Sequence, residues 1–220
     1  MNLAAGRSRV RGLYAIADTG ILAPDRLLTA VRQAISGGAR IIQYRDKSGD
    51  AEIRRMQALV LCDLCHELGA ILIINDDVAL AKSVNADGVH LGRHDPHIVS
   101  ARARLGDDAI IGVSCYNEIE RARKAGRDGA DYVAFGSFYS SSVKPEAVRA
   151  SSRLLQQAKV ELDLPVVAIG GITPDNGAEL VAAGADALAV ITGVFGAENI
   201  REAAEKYSRL FVQKSSEGSN

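Results

Sequence analysis

The amino-acid sequence predicts an α/β fold, a single-domain (β/α)8 barrel. Three observations point to it. Short apolar, β-branched runs recur eight times along the chain, and a stretch of helical periodicity follows each. A Gly/Ala/polar signature recurs between a helix and the next strand: GGAR from Gly37, NADG from Asn85, DGAD from Asp128 and AGAD from Ala183. The 220 residues suit one compact domain, and eight units leave roughly 26 residues apiece, short but workable for a barrel. A doubly wound sheet is the rival. It usually carries a Gly-rich turn after its first strand, where this chain has AIADTG.

The strands are expected at Leu13 to Ala17, Arg40 to Tyr44, Ile71 to Ile74 and GVHL from Gly88. The remaining four are AIIGVS from Ala109, YVAFG from Tyr132, PVVAIG from Pro165 and ALAVI from Ala187. They are mostly apolar rather than cleanly alternating, as strands buried on both faces are, and this argues for a parallel sheet. The first helix, Asp25 to Ile35, is expected to bury Leu28, Val31 and Ile35. The second, Ile53 to Leu68, is expected to bury Ile53, Met56, Leu59, Val60 and Leu64, with Asp50 as its cap. Val78 to Val84, His97 to Leu105, Glu118 to Ala125 and Ala147 to Val160 follow. Pro174 to Ala182 starts behind Thr173 with Pro at the first helical position, and Ile200 to Phe211 closes the fold. Between helix and strand, Gly tolerates a positive φ, Ala keeps the helix close to the sheet, and a polar residue opens the strand. Residues 1–11 read as an N-terminal extension, 12–212 as the barrel and 213–220 as a disordered tail.

The composition is 47% hydrophobic and only 5% aromatic with no Trp, so Ala, Val, Ile and Leu must fill the core. A formal charge of −1 gives no reason to expect a nucleic acid or an anionic membrane surface as partner. No apolar run approaches the roughly 20 residues that span a bilayer, and the N-terminal stretch is a poor secretory signal, so a cytoplasmic location is expected. Cys62, Cys65 and Cys115 are too few for a disulfide scaffold; the C-x-x-C pair lies inside a helical pattern and reads as two small helix residues. A homo-oligomer is compatible with this composition.

In a barrel, residues just after the strands converge on one face. After strand two, Gln43, Arg45 and Lys47 alternate to one side and bring two cations and an amide together. INDD follows strand three and HLGRHD strand four. Asp76 and Asp95 are hard-oxygen ligands suited to Mg2+, while Asp77 is placed to cap the next helix. His90, His94 and His97 lack the spacing of a zinc site; His90 shapes the pocket and the other two face solvent. Ser114 ends strand five. GSFYSSSVKP follows strand six, with Ser137 and Ser140 to Ser142 leading into Lys144 and Pro145 opening the next helix. Hydroxyls beside an ammonium are what phosphate oxygens need. Gly170 and Gly171 after strand seven, with Thr192 and Gly193 after strand eight, suit a second phosphate held by backbone N–H groups. The chain thus offers a cationic, metal-bearing site for a diphosphate and a neutral site for a monophosphate.

QYRDK, INDD, DGVHLGRHD, GVS, the Ser-rich loop ending in VKP, IGGI and VITGVF occur in the order found in thiamine-phosphate synthases, and the chain resembles that family from Leu13 to about Phe211. The resemblance implies transfer of 4-amino-2-methylpyrimidine-5-methyl from its diphosphate to a thiazole phosphate, assisted by Mg2+, with only small-molecule substrates as partners. It implies that Gln43, Arg45, Lys47, Asn75, Ser114 and Lys144 hold the pyrimidine diphosphate, with Arg45, Lys47, Lys144 and Ser114 acting in catalysis. Asp76 and Asp95 would hold the metal, and Ser141, Ser142, Val143, Gly171, Ile191 and Thr192 the thiazole phosphate. Many relatives have Thr-x-Thr-Lys where this chain has Ser141-Ser142-Val143-Lys144, so Val143 removes one hydroxyl from the phosphate loop. Two other readings are weighed against this one. A thiazole tautomerase-like isomerase would use His90 as an acid-base group, and a non-catalytic regulator would bind a phosphorylated ligand without turnover.

Overall fold

The structure, a computed structural model, describes residues 9–95, 97–140 and 148–217, with side chains described as far as residue 212. Strand and helix alternate through β1 (Gly12–Asp18), α1 (Leu27–Ser36), β2 (Ala39–Arg45), α2 (Ala51–Glu67), β3 (Ile71–Asn75) and α3 (Val78–Ser83). They continue through β4 (Gly88–Leu91), α4 (Ile98–Leu105), β5 (Ile110–Tyr116), α5 (Ile119–Arg127), β6 (Tyr132–Gly136) and α6 (Ser152–Glu161). The last elements are β7 (Val166–Ile169), α7 (Pro174–Ala182), β8 (Ala187–Val190), a short α8 (Thr192–Phe195) and α9 (Ile200–Glu217). All strand pairs are parallel, and β8 returns to β1 to close the barrel.

Strand parity builds two hydrophobic layers. Leu13, Ala15 and Ala17 point outward to the helices, while Tyr14 and Ile16 point into the barrel. Ile41, Ile71, Ile73, Ile110 and Val167 join them inside, and each fully buried aliphatic side chain contributes about 2 kcal/mol. Both strand faces are therefore buried, as the apolar runs predict. Two buried tyrosines meet on the axis: the rings of Tyr14 and Tyr132 pack edge to face with centroids 6.1 Å apart. Gly112 makes room for them, because a Cβ there would lie 1.9 Å from Tyr132 Cζ.

The polar residue of the recurring junction signature has a definite task. Asp87, Asp131 and Asp186 each precede an even-numbered strand and accept a hydrogen bond from a backbone N–H of the strand before it. The donors are Leu72 at 2.9 Å, Ile111 at 2.8 Å and Val166 at 2.8 Å. Each carboxylate also meets a cationic side chain: Arg9, Arg102 and Lys159 respectively. These acids fasten neighbouring strands at the N-terminal end of the barrel, away from the mouth. The fourth junction carries Arg40 instead of an acid.

Capping follows the sequence. Asp50 accepts from Ile53 N and Asp77 from Leu80 N, and Thr173 forms a full capping box with Asn176 behind Pro174. Four expectations are corrected. The inner face of α2 is Ala58, Leu61, Cys62, Leu64 and Cys65, while Ile53, Met56, Leu59 and Val60 are exposed at 42–58%. Large residues occupy both sides of this helix, and the smaller set packs against the sheet. On α1, Leu28 is exposed and Leu27, Ala30, Val31 and Ala34 are buried, a rotation of one position. The sixth helix starts at Ser152, not Ala147. The preceding backbone is spent elsewhere, with Ser137 N donating to Val148 O and Ala150 N donating to Ser137 O, both at 2.9 Å. The final helix continues past Phe211 to Glu217, into the expected tail. Among the described residues no helix is long and apolar enough to cross a membrane.

Candidate active site

A cavity of about 410 Å3 opens at the C-terminal ends of the strands. Gln43, Arg45, Asn75 and Ser114 line one side of it, and Gly171, Ile191 and Thr192 line the other. Seven sequence-predicted residues from five strands therefore reach one volume. A second, more open cleft of about 450 Å3 lies beside it, lined by Lys47, Asp76, Asp77, Arg54 and Arg104 among others. Asn75 borders both. The mouth cavity is the one on which the convergent polar groups open, and it has the form of a ligand site.

The strand-two cations separate. Arg45 is the last residue of β2, and its guanidinium donates to the buried carboxylate of Asp18 on the neighbouring β1. Lys47 lies two residues beyond the strand, is exposed, and pairs with Asp76 in the side cleft. Strand alternation does not extend past the end of β2, which is why Lys47 departs from the line of Gln43 and Arg45.

Asp76 has a positive φ of 63°, a left-handed conformation that Asp and Asn tolerate better than other side chains. Its backbone N–H donates to His90 O at 2.8 Å, and its carboxylate accepts from Asn75 Nδ2 at 2.7 Å and from Lys47. Asp95 folds back to accept from Gly92 N at its own loop and shares a hydrogen bond with Asp76. Burial opposes ionisation of Asp76, but the bond from Asp95 and the Lys47 ammonium outweigh it and hold its carboxyl below the usual range. Burial and the neighbouring Asp76 carboxyl raise Asp95 above the usual carboxylate range. Two neighbouring carboxyl groups beside an amide, with Asp76 and Asn75 lining a cleft, have the hard-oxygen chemistry that fits a divalent cation. Asp77 is the helix cap and pairs with Arg54 at 2.8 Å. His94 and His97 are exposed, and among the described residues no group of three His, Cys, Asp or Glu could hold a metal.

On the opposite rim, Gly171 has φ +61°, and an added Cβ would lie 2.2 Å from Ser140 O. The N–H groups of Gly171 and Thr192 have no hydrogen-bond acceptor among the described residues, which suits an anion. Ser137 is buried and its hydroxyl is spent on Tyr139 O at 2.7 Å, while Ser140 lines the cavity and accepts from Arg149. Ser141, Ser142, Val143 and Lys144 lie outside the described residues, as does Pro145.

Inspection of strand ends misses the floor of the site. Gln43 Nε2 donates to Tyr14 Oη at 2.7 Å, Tyr14 meets Tyr132 at 2.9 Å, Tyr132 meets His90 Nδ1 at 2.9 Å, and His90 Nε2 meets Ser114 Oγ at 2.9 Å. His90 also stacks on Tyr132, with centroids 5.6 Å apart. The available signal was parity: Tyr14 and Tyr132 occupy inward positions in a chain with only six Tyr. Asp18, the partner of Arg45, was missed for the same reason. Cys62, Cys65 and Cys115 are buried free thiols away from this cavity, in keeping with a packing role.

A closed (β/α)8 barrel with a polar cavity at the C-terminal ends of its strands, and glycine-rich loops after its seventh and eighth strands, has the architecture of a barrel enzyme. A family model described as thiamine monophosphate synthase matches residues 13–194. A thiamine-phosphate synthase from Nitrosococcus oceani is 52% identical over 204 residues, covering 93% of this chain and 94% of the relative. One from Nitrosospira multiformis is 50% identical over 213 residues, covering 96% and 90%. A thiamine phosphate pyrophosphorylase structure from Pyrococcus furiosus superposes with a TM-score of 0.83 at 33% identity, covering 95% of this chain and 98% of that one. The chain belongs to the thiamine monophosphate synthase family and is a transferase.

Proposed function

We propose that this chain transfers 4-amino-2-methylpyrimidine-5-methyl from its diphosphate to a thiazole phosphate, releasing diphosphate and forming thiamine phosphate, with Mg2+ assistance. One observation carries this reading. A single cavity has Gln43, Arg45, Asn75 and Ser114 on one wall and Gly171 and Thr192, whose N–H groups have no acceptor among the described residues, on the other, and Asn75 links it to the Asp76–Asp95 pair. Two phosphorylated rings can therefore lie side by side.

Asp76 and Asp95 would hold the metal, and a divalent cation there supplies positive charge against the departing diphosphate. Arg45 adds charge from the cavity wall and Lys47 from the adjoining cleft, each aimed by a carboxylate, Asp18 and Asp76 respectively. Lys144, beyond the described residues, is assigned there by resemblance. The amino group of the pyrimidine delocalises the methylene cation as the carbon–oxygen bond breaks, so the protein need supply no nucleophile. Gly171, Ile191 and Thr192 fix the thiazole phosphate so that its ring nitrogen faces that carbon, replacing a collision by an oriented step.

His90 does not favour the isomerase reading, because both its ring nitrogens are engaged, one by Tyr132 and one by Ser114. A regulator would bind a phosphorylated ligand without turnover. Incubating the pure protein with both substrates, with and without Mg2+, and assaying thiamine phosphate separates the three. Product that depends on both substrates and on metal is expected; folded protein that binds both substrates yet makes none would end this reading.

A further inference from the structure

We propose that Gln43, Tyr14, Tyr132, His90 and Ser114 form one polarised hydrogen-bond relay, which makes the cavity selective for a ring presenting a donor to Gln43 and an acceptor to Ser114. Tyr14, Tyr132 and His90 are its positioning residues. The inference rests on the proposed function and deepens it by naming how the ring is read.

Proton counting sets the direction. Tyr14 Oη accepts from Gln43 Nε2 at 2.7 Å, and its own proton goes to its other partner among the described residues, Tyr132 Oη at 2.9 Å. Tyr132 then donates to His90 Nδ1. A neutral imidazole that accepts at Nδ1 carries its proton on Nε2, so His90 donates to Ser114 Oγ. Left over to face a ring are the Gln43 carbonyl oxygen and the Ser114 hydroxyl proton, on two residues that line the cavity, the second Nε2 proton of Gln43 lying on the nitrogen turned to Tyr14. Tyr14 and Tyr132 are only 1% and 0% exposed, and burial raises both phenols so that they keep their protons. Turning the Gln43 amide over would reverse every link, move the imidazole proton to Nδ1 and make Ser114 an acceptor. Any mixed state sets oxygen against oxygen, or proton against proton, in a buried chain. The two ends are thus locked in opposite senses.

A 4-aminopyrimidine satisfies both ends, with its exocyclic amine as donor and the ring nitrogen para to it as acceptor. Its 4-oxo counterpart, a lactam whose proton sits on the ring nitrogen beside the carbonyl, presents a carbonyl where the amine was and keeps a lone pair on the para nitrogen. Gln43 must then turn its NH2 outward, the relay reverses, and Ser114 meets the ring nitrogen lone pair to lone pair. A Gln43 uncoupled from Ser114 would turn alone and tolerate either ring.

The test is calorimetric binding of 4-amino-2-methyl-5-hydroxymethylpyrimidine and of its 4-oxo counterpart to the parent, Tyr14→Phe and Tyr132→Phe proteins. The parent should prefer the amino ring by about tenfold or more, and each variant, with one link cut, should lose most of that preference. A general loss of stability would not change the ratio, since both rings are measured on the same protein. In the unliganded parent, 15N NMR of His90 should show the Nε2–H tautomer. An Nδ1–H tautomer, or an undiminished preference in both folded variants, would overturn the relay. If the variants do not fold, the tautomer decides. A parent that binds neither ring would count against the proposed function, and the tautomer would still judge the relay.

Discussion

At the residue scale, Asp76 and Arg45 are the side chains whose surroundings say most about how to test them. Asp76 sits at positive φ and accepts from Asn75 and Lys47. Alanine would remove its charge and also strain its backbone, so Asp76→Asn is the cleaner variant. That variant is expected to lose at least about a hundredfold in metal-dependent turnover, with thiazole phosphate binding by calorimetry nearly unchanged. Equal turnover by variant and parent would refute the ligand assignment. Arg45 neutralises Asp18, which is only 5% exposed. Arg45→Ala should therefore lower unfolding free energy by about 3 kcal/mol as well as activity, measured by urea titration. An unchanged midpoint would show that Asp18 is satisfied without it.

At the scale of elements, strand starts and strand ends do different work. Asp131 fastens β5 to β6 at the far end of the barrel through Ile111 N and Arg102. Asp131→Ala leaves both donors without this acceptor and should cost about 3 kcal/mol in urea unfolding, while kcat per folded molecule stays at the parent value. Gly171 lies at the mouth. Gly171→Ala would combine a disfavoured φ with a Cβ 2.2 Å from Ser140 O, so binding of thiazole phosphate should weaken by about tenfold or more while the pyrimidine still binds. If pyrimidine binding fell equally in folded Gly171→Ala, the assignment of the two walls would be wrong. Helix α2 shows why pattern alone misplaces a helix face: Ile53, Met56 and Val60 make a convincing stripe at helical spacing, yet Ala58, Leu61, Cys62 and Cys65 let the helix come closer to the sheet.

Across the whole molecule, burial on both strand faces also governs how stability responds to pH. Burial pushes Cys62 up to about 11 and Cys65 and Cys115 up to about 12, from an ordinary value of 9.0. The folded state keeps these protons while the unfolded chain releases them. Their contribution to stability is therefore complete below pH 9 and declines as pH rises through the folded values. The urea midpoint should fall between pH 9 and pH 11, and Cys62→Ser should reduce that slope; a flat profile would contradict the thiols' burial. By the same reasoning, native protein at neutral pH should react with iodoacetamide about a hundredfold more slowly than unfolded chain.

The sequence by itself determined the eight-fold alternation, the parallel barrel, the caps at Asp50, Asp77 and Thr173, and the clustering of Gln43, Asn75, Ser114, Gly171 and Thr192 at one end. These follow from local periodicity, turn chemistry and position relative to a strand end, all of which operate over a few residues. Tertiary structure alone decided that Lys47 turns away from Arg45, that Asp18 aims Arg45, that small residues form the inner face of α2, and that Tyr14, Tyr132 and His90 join Gln43 to Ser114 across the barrel. The reason is separation: Tyr14 and Tyr132 lie 118 residues apart, and only closure of the sheet brings their hydroxyls within a hydrogen bond.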